Sequence, residues 1–179
     1  VVRRVVETFR CEYAQTYGMT ETSPYLTVRL LKEHLATLDP ETRLAYRSKT
    51  GRPFLAVELE VVNEAGAPVA ADEKEVGEIR VRGDTVTPGY YRREAETRAA
   101  FDVEGWLRTG DLAVVDAEGY VTIVDRKKDI ILSGGENVYS IEVENALYRH
   151  PAVLEAAVIG IPDAQWGEVP LAHVVLRHP

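Results

Sequence analysis

The sequence predicts an α+β fold in two parts: a helix-and-loop opening that leads into an antiparallel sheet or barrel, followed by a small α+β unit. Three observations carry that expectation. Apolar and charged residues alternate from Phe54 to Val62 and again around Ile79 and Val81, the period of half-buried strands. The composition changes after the charge run Asp125-Arg126-Lys127-Lys128-Asp129: residues 129–179 carry seven acidic and two basic residues, against 22 and 19 before them. With 179 residues, 45% of them hydrophobic, the chain has material for one large domain or two small ones.

Taken in order, Val2, Val5, Val6 and Phe9 follow helical spacing, so a helix is expected to end near Arg10. Glu12 to Tyr17 reads as a short strand, and Met19-Thr20-Glu21-Thr22-Ser23-Pro24 as a polar loop. Val28, Leu31, Leu35 and Leu38 share one helical face, with Pro40 as a break. Leu55, Val57, Leu59 and Val61 line one face of the next strand, and Asn63-Glu64-Ala65-Gly66 turns the chain toward a second strand at Ile79 and Val81. Leu112–Asp116 and Tyr120–Val124 flank Ala117-Glu118-Gly119 as a hairpin. Beyond the charge run, Ile130-Ile131-Leu132 is a short buried strand. A helix from about Ile141 follows, capped by Ser140 and stopped by Pro151, and then strands near Leu154–Ile161 and Leu171–Leu176.

A net charge of −8 argues against a general nucleic-acid binder, which needs a basic footprint. The single cysteine, Cys11, cannot form an internal disulfide, and a cytoplasmic setting is the expectation. No apolar run approaches the ~20 residues of a membrane span. The first residue is Val1 and helical spacing starts at once, so the chain is expected to begin inside a larger protein. Hydrolase templates fail: there is no GxSxG elbow and no HExxH, and His34, His150, His173 and His178 are scattered.

Three polar loops could carry chemistry, and each has a plain structural reading beside the functional one. Thr20-Glu21-Thr22-Ser23 could cap a following helix, with Ser23 as cap and Pro24 in its first position. Taken alone, the cap is the favoured reading; the functional one is that its hydroxyls and amides hold phosphate oxygens while Glu21 binds Mg²⁺ and Tyr17 stacks on a base. Asp111, in Arg108-Thr109-Gly110-Asp111, could bond its own turn or take a ribose diol. Ser133-Gly134-Gly135 could be a tight turn or a place where backbone passes close to a ligand.

Taken together and in order, Tyr17-Gly18-Met19-Thr20-Glu21, Gly105-Trp106-Leu107-Arg108-Thr109-Gly110-Asp111 and Asp125-Arg126-Lys127-Lys128-Asp129 with Ser133-Gly134-Gly135-Glu136-Asn137 closely resemble the adenylate-forming, AMP-binding superfamily. Within it the chain resembles an acyl-CoA synthetase, on the Ser-Gly-Gly-Glu-Asn run at 133–137. The resemblance implies the β-barrel-containing end of a large AMP-binding domain over 1–127, then a hinge and the first part of a small C-terminal domain over 128–179. It implies a two-step reaction in which ATP and a carboxylic acid, fatty or aryl, give acyl-AMP and pyrophosphate, and coenzyme A then displaces AMP. A related ligase that loads a carrier protein or stops at acyl-AMP, and an inactive truncated fragment, are the alternatives.

By the same resemblance Tyr17, beside Gly18, would stack on adenine, Thr20 would hold the adenylate phosphate, and Glu21 would bind Mg²⁺. Asp111 would hold the ribose hydroxyls with Arg126 assisting and Ile123 packing nearby. Lys128 would be the hinge, Gly134 and Gly135 would line the pantetheine tunnel, and Trp166 would lie near coenzyme A. The family's Ser/Thr/Gly-rich phosphate loop is missing from these residues, and Lys128 is the last lysine, so the downstream catalytic lysine is missing too. The 179 residues by themselves are therefore expected to make no acyl-CoA; thioester formed by a purified sample would refute this.

Overall fold

The structure, a computed structural model, describes residues 2–177; His178 lies outside them. Helix α1 (Val2–Phe9) opens the chain and β1 (Thr16–Tyr17) follows. Only these two residues of the expected 12–17 strand are paired. A one-turn 3₁₀ helix at Thr20–Thr22 leads to β2 (Thr27–Val28), α2 (Glu33–Ala36), α3 (Pro40–Ser48) and β3 (Arg52–Pro53). The amphipathic helix expected over 28–38 is thus not formed: Val28 is in a strand, Leu35 alone of the four is buried, and Leu38 is exposed. Pro40 starts a helix instead of ending one. Asp39 caps it, its Oδ1 accepting the amides of Glu41 and Thr42 at 3.0 Å each, and proline's missing N–H is harmless in the first turn. The cap-then-proline pair expected at Ser23-Pro24 therefore operates at Asp39-Pro40. Ser23 is instead a left-handed residue (φ 54°) ending the 3₁₀ turn, before a cis peptide bond to Pro24.

Strands β1, β2 and β3 form one small antiparallel sheet, with Tyr17 opposite Thr27 and Val28 opposite Arg52. Strand β4 (Val57–Val62) pairs with β5 (Gly77–Gly83) in the register Leu59–Val81, Val61–Ile79. Helix α4 (Glu94–Ala100), β6 (Leu107–Val115) and β7 (Val121–Arg126) follow. The sheet order is β4-β5-β6-β7, and beyond β7 Val121 pairs with Gly51, just before β3. The expected barrel is not closed, because ring closure needs the last strand to bond the first and four strands are too few to wrap a filled interior. Val57, Val61, Ile79, Val81, Leu107, Ala113 and Val121 bury one face together with Leu26. At about 25 cal/mol per Å² of apolar surface, this layer is what holds β1 and β2 against the larger sheet.

After β7 come a 3₁₀ turn at Lys127–Asp129, β8 (Ile131–Ser133), β9 (Glu136–Val138), α5 (Ser140–Leu147), β10 (Val153–Asp163) and β11 (Gly167–Leu176). These four strands form a second sheet of order β10-β11-β8-β9. Strand β9 answers no periodicity in the sequence; the Gly134-Gly135 turn creates it by folding Glu136 back onto Ser133. Both glycines have positive φ (60° and 88°), the requirement of a two-residue primed hairpin. Helix α5 packs on β10, and Glu144 accepts the amide of Val158 at 2.9 Å. The described residues divide into two compact units. One runs to Thr109 and includes Ala113–Ile123; the other holds Gly110–Leu112 and the residues from Val124 onward. No helix among them is long and apolar enough to cross a membrane.

Candidate active site

The first polar loop belongs to the first unit, and its shape follows from three constraints. Gly18 admits no side chain: a Cβ there would lie 1.5 Å from the carbonyl oxygen of Pro24. The buried Thr22 hydroxyl accepts the Met19 amide at 3.1 Å and lies 3.0 Å from the Met19 carbonyl and 3.2 Å from that of Pro24. Leu26 N–H donates to the Tyr17 carbonyl at 2.8 Å and closes the loop at its base. Tyr17 is half-buried, packed against the hydrophobic core, while Gly18 and Thr20 are exposed beside it. Thr22 is thus the structural threonine of the loop, and Thr20 is the one that faces solvent.

Glu21 is held from both ends. Its carbonyl accepts the Thr87 amide at 2.7 Å, and its Oε1 accepts the Tyr90 hydroxyl at 3.0 Å. Burial, and then this bond to a carboxylate, raise the Tyr90 phenol above its ordinary pKa, so it stays a donor. Tyr90 is positioned in turn by its own amide, which donates to Thr97 Oγ1 on α4 at 2.9 Å. Sequence reasoning missed Tyr90, 69 residues from Glu21; its only signal is a pair of tyrosines after the Pro88-Gly89 turn.

In the second unit the structure brings Asp111 and Arg126 together. Asp111 lies on β6, 8% exposed, directly after Gly110 (φ 75°); Arg126 ends β7, and its Nε lies 3.4 Å from Asp111 Oδ1. The guanidinium is largely in water, so the pair contributes little to stability. Arg126 is aimed by its neighbour. The buried Asp125 carboxylate accepts the Arg126 amide at 2.7 Å, the Ser140 hydroxyl at 3.0 Å and the Ile141 amide at 3.4 Å. Asp125 therefore caps α5 across 15 residues, a task the sequence assigns to Ser140 alone. Ile123, expected beside Asp111, is placed with the first unit, half-buried on its core, its amide donating to Thr50 Oγ1 at 3.0 Å.

Gly134 and Trp166, also in the second unit, are in contact. The Gly134 amide donates to the Trp166 carbonyl at 2.8 Å, and a Cβ on Gly134 would come 2.6 Å from the indole ring. Asp163 Oδ1 accepts the amides of Gln165 and Trp166 at 2.8 Å each, fixing the turn that presents the ring, which is 52% exposed. Gly135 differs: a Cβ there would meet nothing within 4 Å, so its positive φ alone calls for glycine. Lys128 is exposed in the middle of the Lys127–Asp129 turn. Tyr17, Gly18, Thr20 and Glu21 thus form one group in the first unit, and Asp111, Arg126, Lys128, Gly134, Gly135 and Trp166 lie in the second.

The family model for AMP-binding enzymes matches residues 1–91, just over half of the chain, and that for the AMP-binding enzyme C-terminal domain matches residues 142–179. The chain belongs to the AMP-binding enzyme family. Tyr17–Glu21 fall in the first matched span and Trp166 in the second, while Asp111–Gly135 lie between them. This AMP-binding chain is 50% identical over 166 residues to the long-chain-fatty-acid–CoA ligase of Thermus thermophilus, covering 93% of itself and 31% of that protein. It is 41% identical over 165 residues to the 2-succinylbenzoate–CoA ligase of Bacillus subtilis, covering 92% and 31%. Among solved structures it matches the o-succinylbenzoate CoA synthetase of Bacillus subtilis in complex with an acyl-adenylate intermediate, with a TM-score of 0.81 and 38% identity, over 99% of this chain and 34% of that one. The same synthetase with ATP and magnesium matches with a TM-score of 0.80. The AMP-binding chain spans about a third of the length of the relatives it matches.

Proposed function

We propose that this chain is part of an ATP-dependent acyl-CoA ligase, which activates a fatty or aryl acid as acyl-AMP and transfers the acyl group to coenzyme A in the cytoplasm. The observation that carries the reading is the Asp111–Arg126 pair. Two residues 15 apart, each from one of the ordered motifs, come together on neighbouring strands with the carboxylate nearly buried and the guanidinium open to solvent. A carboxylate so held offers two acceptor oxygens to adjacent ribose hydroxyls, and a guanidinium beside it suits a phosphate or ribose oxygen. The names of the relatives given above, two CoA ligases and a CoA synthetase, support the same reading.

In this proposal Tyr17 gives a ring anchored in the core for adenine to stack on, and Thr20 an exposed hydroxyl for the adenylate phosphate. Glu21, with Tyr90 on Oε1, keeps Oε2 for Mg²⁺. The fit is that of an ion arriving with its nucleotide. Among the described residues no three His, Cys, Asp or Glu side chains cluster as a metal cage, and Mg²⁺ commonly takes one or two carboxylates plus phosphate oxygens and water. When bound it supplies charge neutralisation to the phosphates. Gly134, Gly135 and the exposed Trp166 ring would line the path of the thiol substrate, with the domains dividing at 127/128 about Lys128.

The test is carboxylate-dependent ATP–pyrophosphate exchange by the enzyme that carries this segment. Asp111→Ala is expected to raise the ATP KM by on the order of ten- to a hundredfold, the equivalent of about 1.5–3 kcal/mol for a charge-assisted contact. An unchanged KM, with exchange intact, would remove the ribose role from Asp111.

A further inference from the structure

At the far end of the β1–β2 pair from the Met19–Pro24 turn lies a cavity of about 310 Å³ that the reading above does not use. Arg29, Arg43 and Arg47 line it, with one carboxylate, Glu12, and with Tyr13, Leu30 and Leu31. Arg29 follows β2 directly and its amide donates to the Gln15 carbonyl at 2.9 Å, so its backbone has no freedom to withdraw. Arg43 and Arg47 stand one turn apart on α3, hence on one face. The guanidinium of Arg29 lies 5.5 Å from the Tyr13 ring centre.

Arg29 is only 3% exposed, yet its Nε and Nη2 have no hydrogen-bond partner, and neither has Arg43 Nε. An arginine cannot discharge itself by losing a proton, so three positive groups meet around one cavity. Burial, and then the like charge of Arg47, both push Arg29 below its ordinary pKa. Of the nearby carboxylates, Glu41 pairs with Arg3 at 2.6 Å and Asp39 caps α3, while the exposed Glu12 also lines the cavity and its charge acts on Arg29 without forming an ion pair with it. Among the described residues no ion pair involves any of the three arginines. A buried, unpaired charge is costly, and an anionic ligand would relieve it.

We infer that the Arg29–Arg43–Arg47 cavity is a binding site for a small phosphate-bearing anion. The arginine forks match the several acceptor oxygens of a phosphate, the volume is at the small end of ligand pockets, and Leu30, Leu31 and Tyr13 would receive a compact apolar or planar portion. The site is separate from the Tyr17–Glu21 loop, and does not depend on the ligase reading. A carboxylate side chain from a second copy has the same acceptor chemistry, and the experiment separates the two sources.

The purified chain is titrated with inorganic phosphate and with pyrophosphate by calorimetry, with sodium chloride holding ionic strength constant. Saturable one-to-one binding is expected, weakened at least tenfold in Arg29→Met and severalfold in each of Arg43→Gln and Arg47→Gln. Without phosphate, Arg29→Met is expected to melt above the parent chain, because an apolar isostere replaces an unpaired charge; phosphate should raise the melting temperature of the parent only. Absence of saturable binding, or unaltered affinity in the Arg43 and Arg47 variants, overturns the site, and so does an Arg29→Met chain that melts lower in phosphate-free buffer. Sedimentation showing self-association that phosphate disperses would assign the cavity to a second copy and overturn the small-molecule occupant.

Discussion

Gly18→Ala is expected to destabilise the chain by about 3 kcal/mol or more, above the ordinary range for overpacking because the obstacle is backbone. The new methyl group would lie 1.5 Å from the Pro24 carbonyl oxygen, 2.6 Å from its carbon and 3.1 Å from Tyr25 Cα, and no rotamer change relieves a Cβ. Either β1 separates from Pro24, breaking the Leu26–Tyr17 hydrogen bond, or the turn carrying Thr20 and Glu21 is displaced. Both outcomes also remove the proposed phosphate and Mg²⁺ contacts, so pyrophosphate exchange should fall below detection in the enzyme that carries the segment. For a chain of this size the loss corresponds to a fall in Tm of roughly 6–12 °C, readable by calorimetry. Gly66→Ala is the control: its φ is also positive (78°), but a Cβ there meets nothing within 4 Å, and only about 1 kcal/mol of backbone strain is expected. If both variants melt alike, the tight fit at Gly18 is not what shapes the loop.

Lys128→Pro is expected to separate the two half-reactions of the proposed ligase, sparing much of acyl-AMP formation and abolishing most thioester formation. Lys128 is the central residue of a single 3₁₀ turn set between two extended residues, Arg126 (φ −94°, ψ 137°) and Ile130 (φ −63°, ψ 133°). A short exposed turn between extended segments is the kind of place where a few dihedrals can absorb a domain rotation. Proline fixes φ near −65°, within the 3₁₀ range, so the turn seen here accepts the ring apart from a modest push on Lys127; a second arrangement with a different φ is denied. Lys127→Ala should leave both half-reactions near their parent rates, since it changes a side chain and leaves the backbone free. Rates of pyrophosphate exchange and of thioester release, measured on the same preparations, check this. Equal loss of both, or loss of neither, takes the pivot away from Lys128.

Much of the architecture was legible from local chemistry. Alternation marked β4 and β5 because each strand has one face on the core and one in water, a pattern set by neighbours two residues apart. Turn residues marked the β6–β7 hairpin; the cap expected at Ser140 marked the start of α5 to within a residue, but Ser140 is its first helical residue and Asp125 does the capping. The motif residues Tyr17 to Glu21, Asp111, Arg126 and Gly134-Gly135 could be picked out in order, and Gly134 and Gly135 proved to be a tight turn, with Gly134 against the Trp166 ring. Local signals misled at two prolines: Ser23-Pro24 reads as a candidate helix start and Pro40 as a break, whereas the structure ends a 3₁₀ turn at Ser23 and starts a helix at Pro40, where Asp39 finds the amides of Glu41 and Thr42 to cap.

By itself the sequence determined the periods of β4 and β5, the hairpin turns and the order of the motif residues, because these depend on side chains and dihedrals within a few positions. Only the tertiary structure decided that the β4-β5-β6-β7 sheet stays open, that Tyr90 bonds Glu21, that Asp125 caps α5, and that Arg29 is buried beside Arg43 and Arg47 with no acid paired to it. The physical reason is the same in each case. Those contacts join residues from about 14 to 69 positions apart, and chain separation of that size leaves no period or spacing in the sequence; the partner is chosen by how the layers pack, and by which polar groups that packing removes from water.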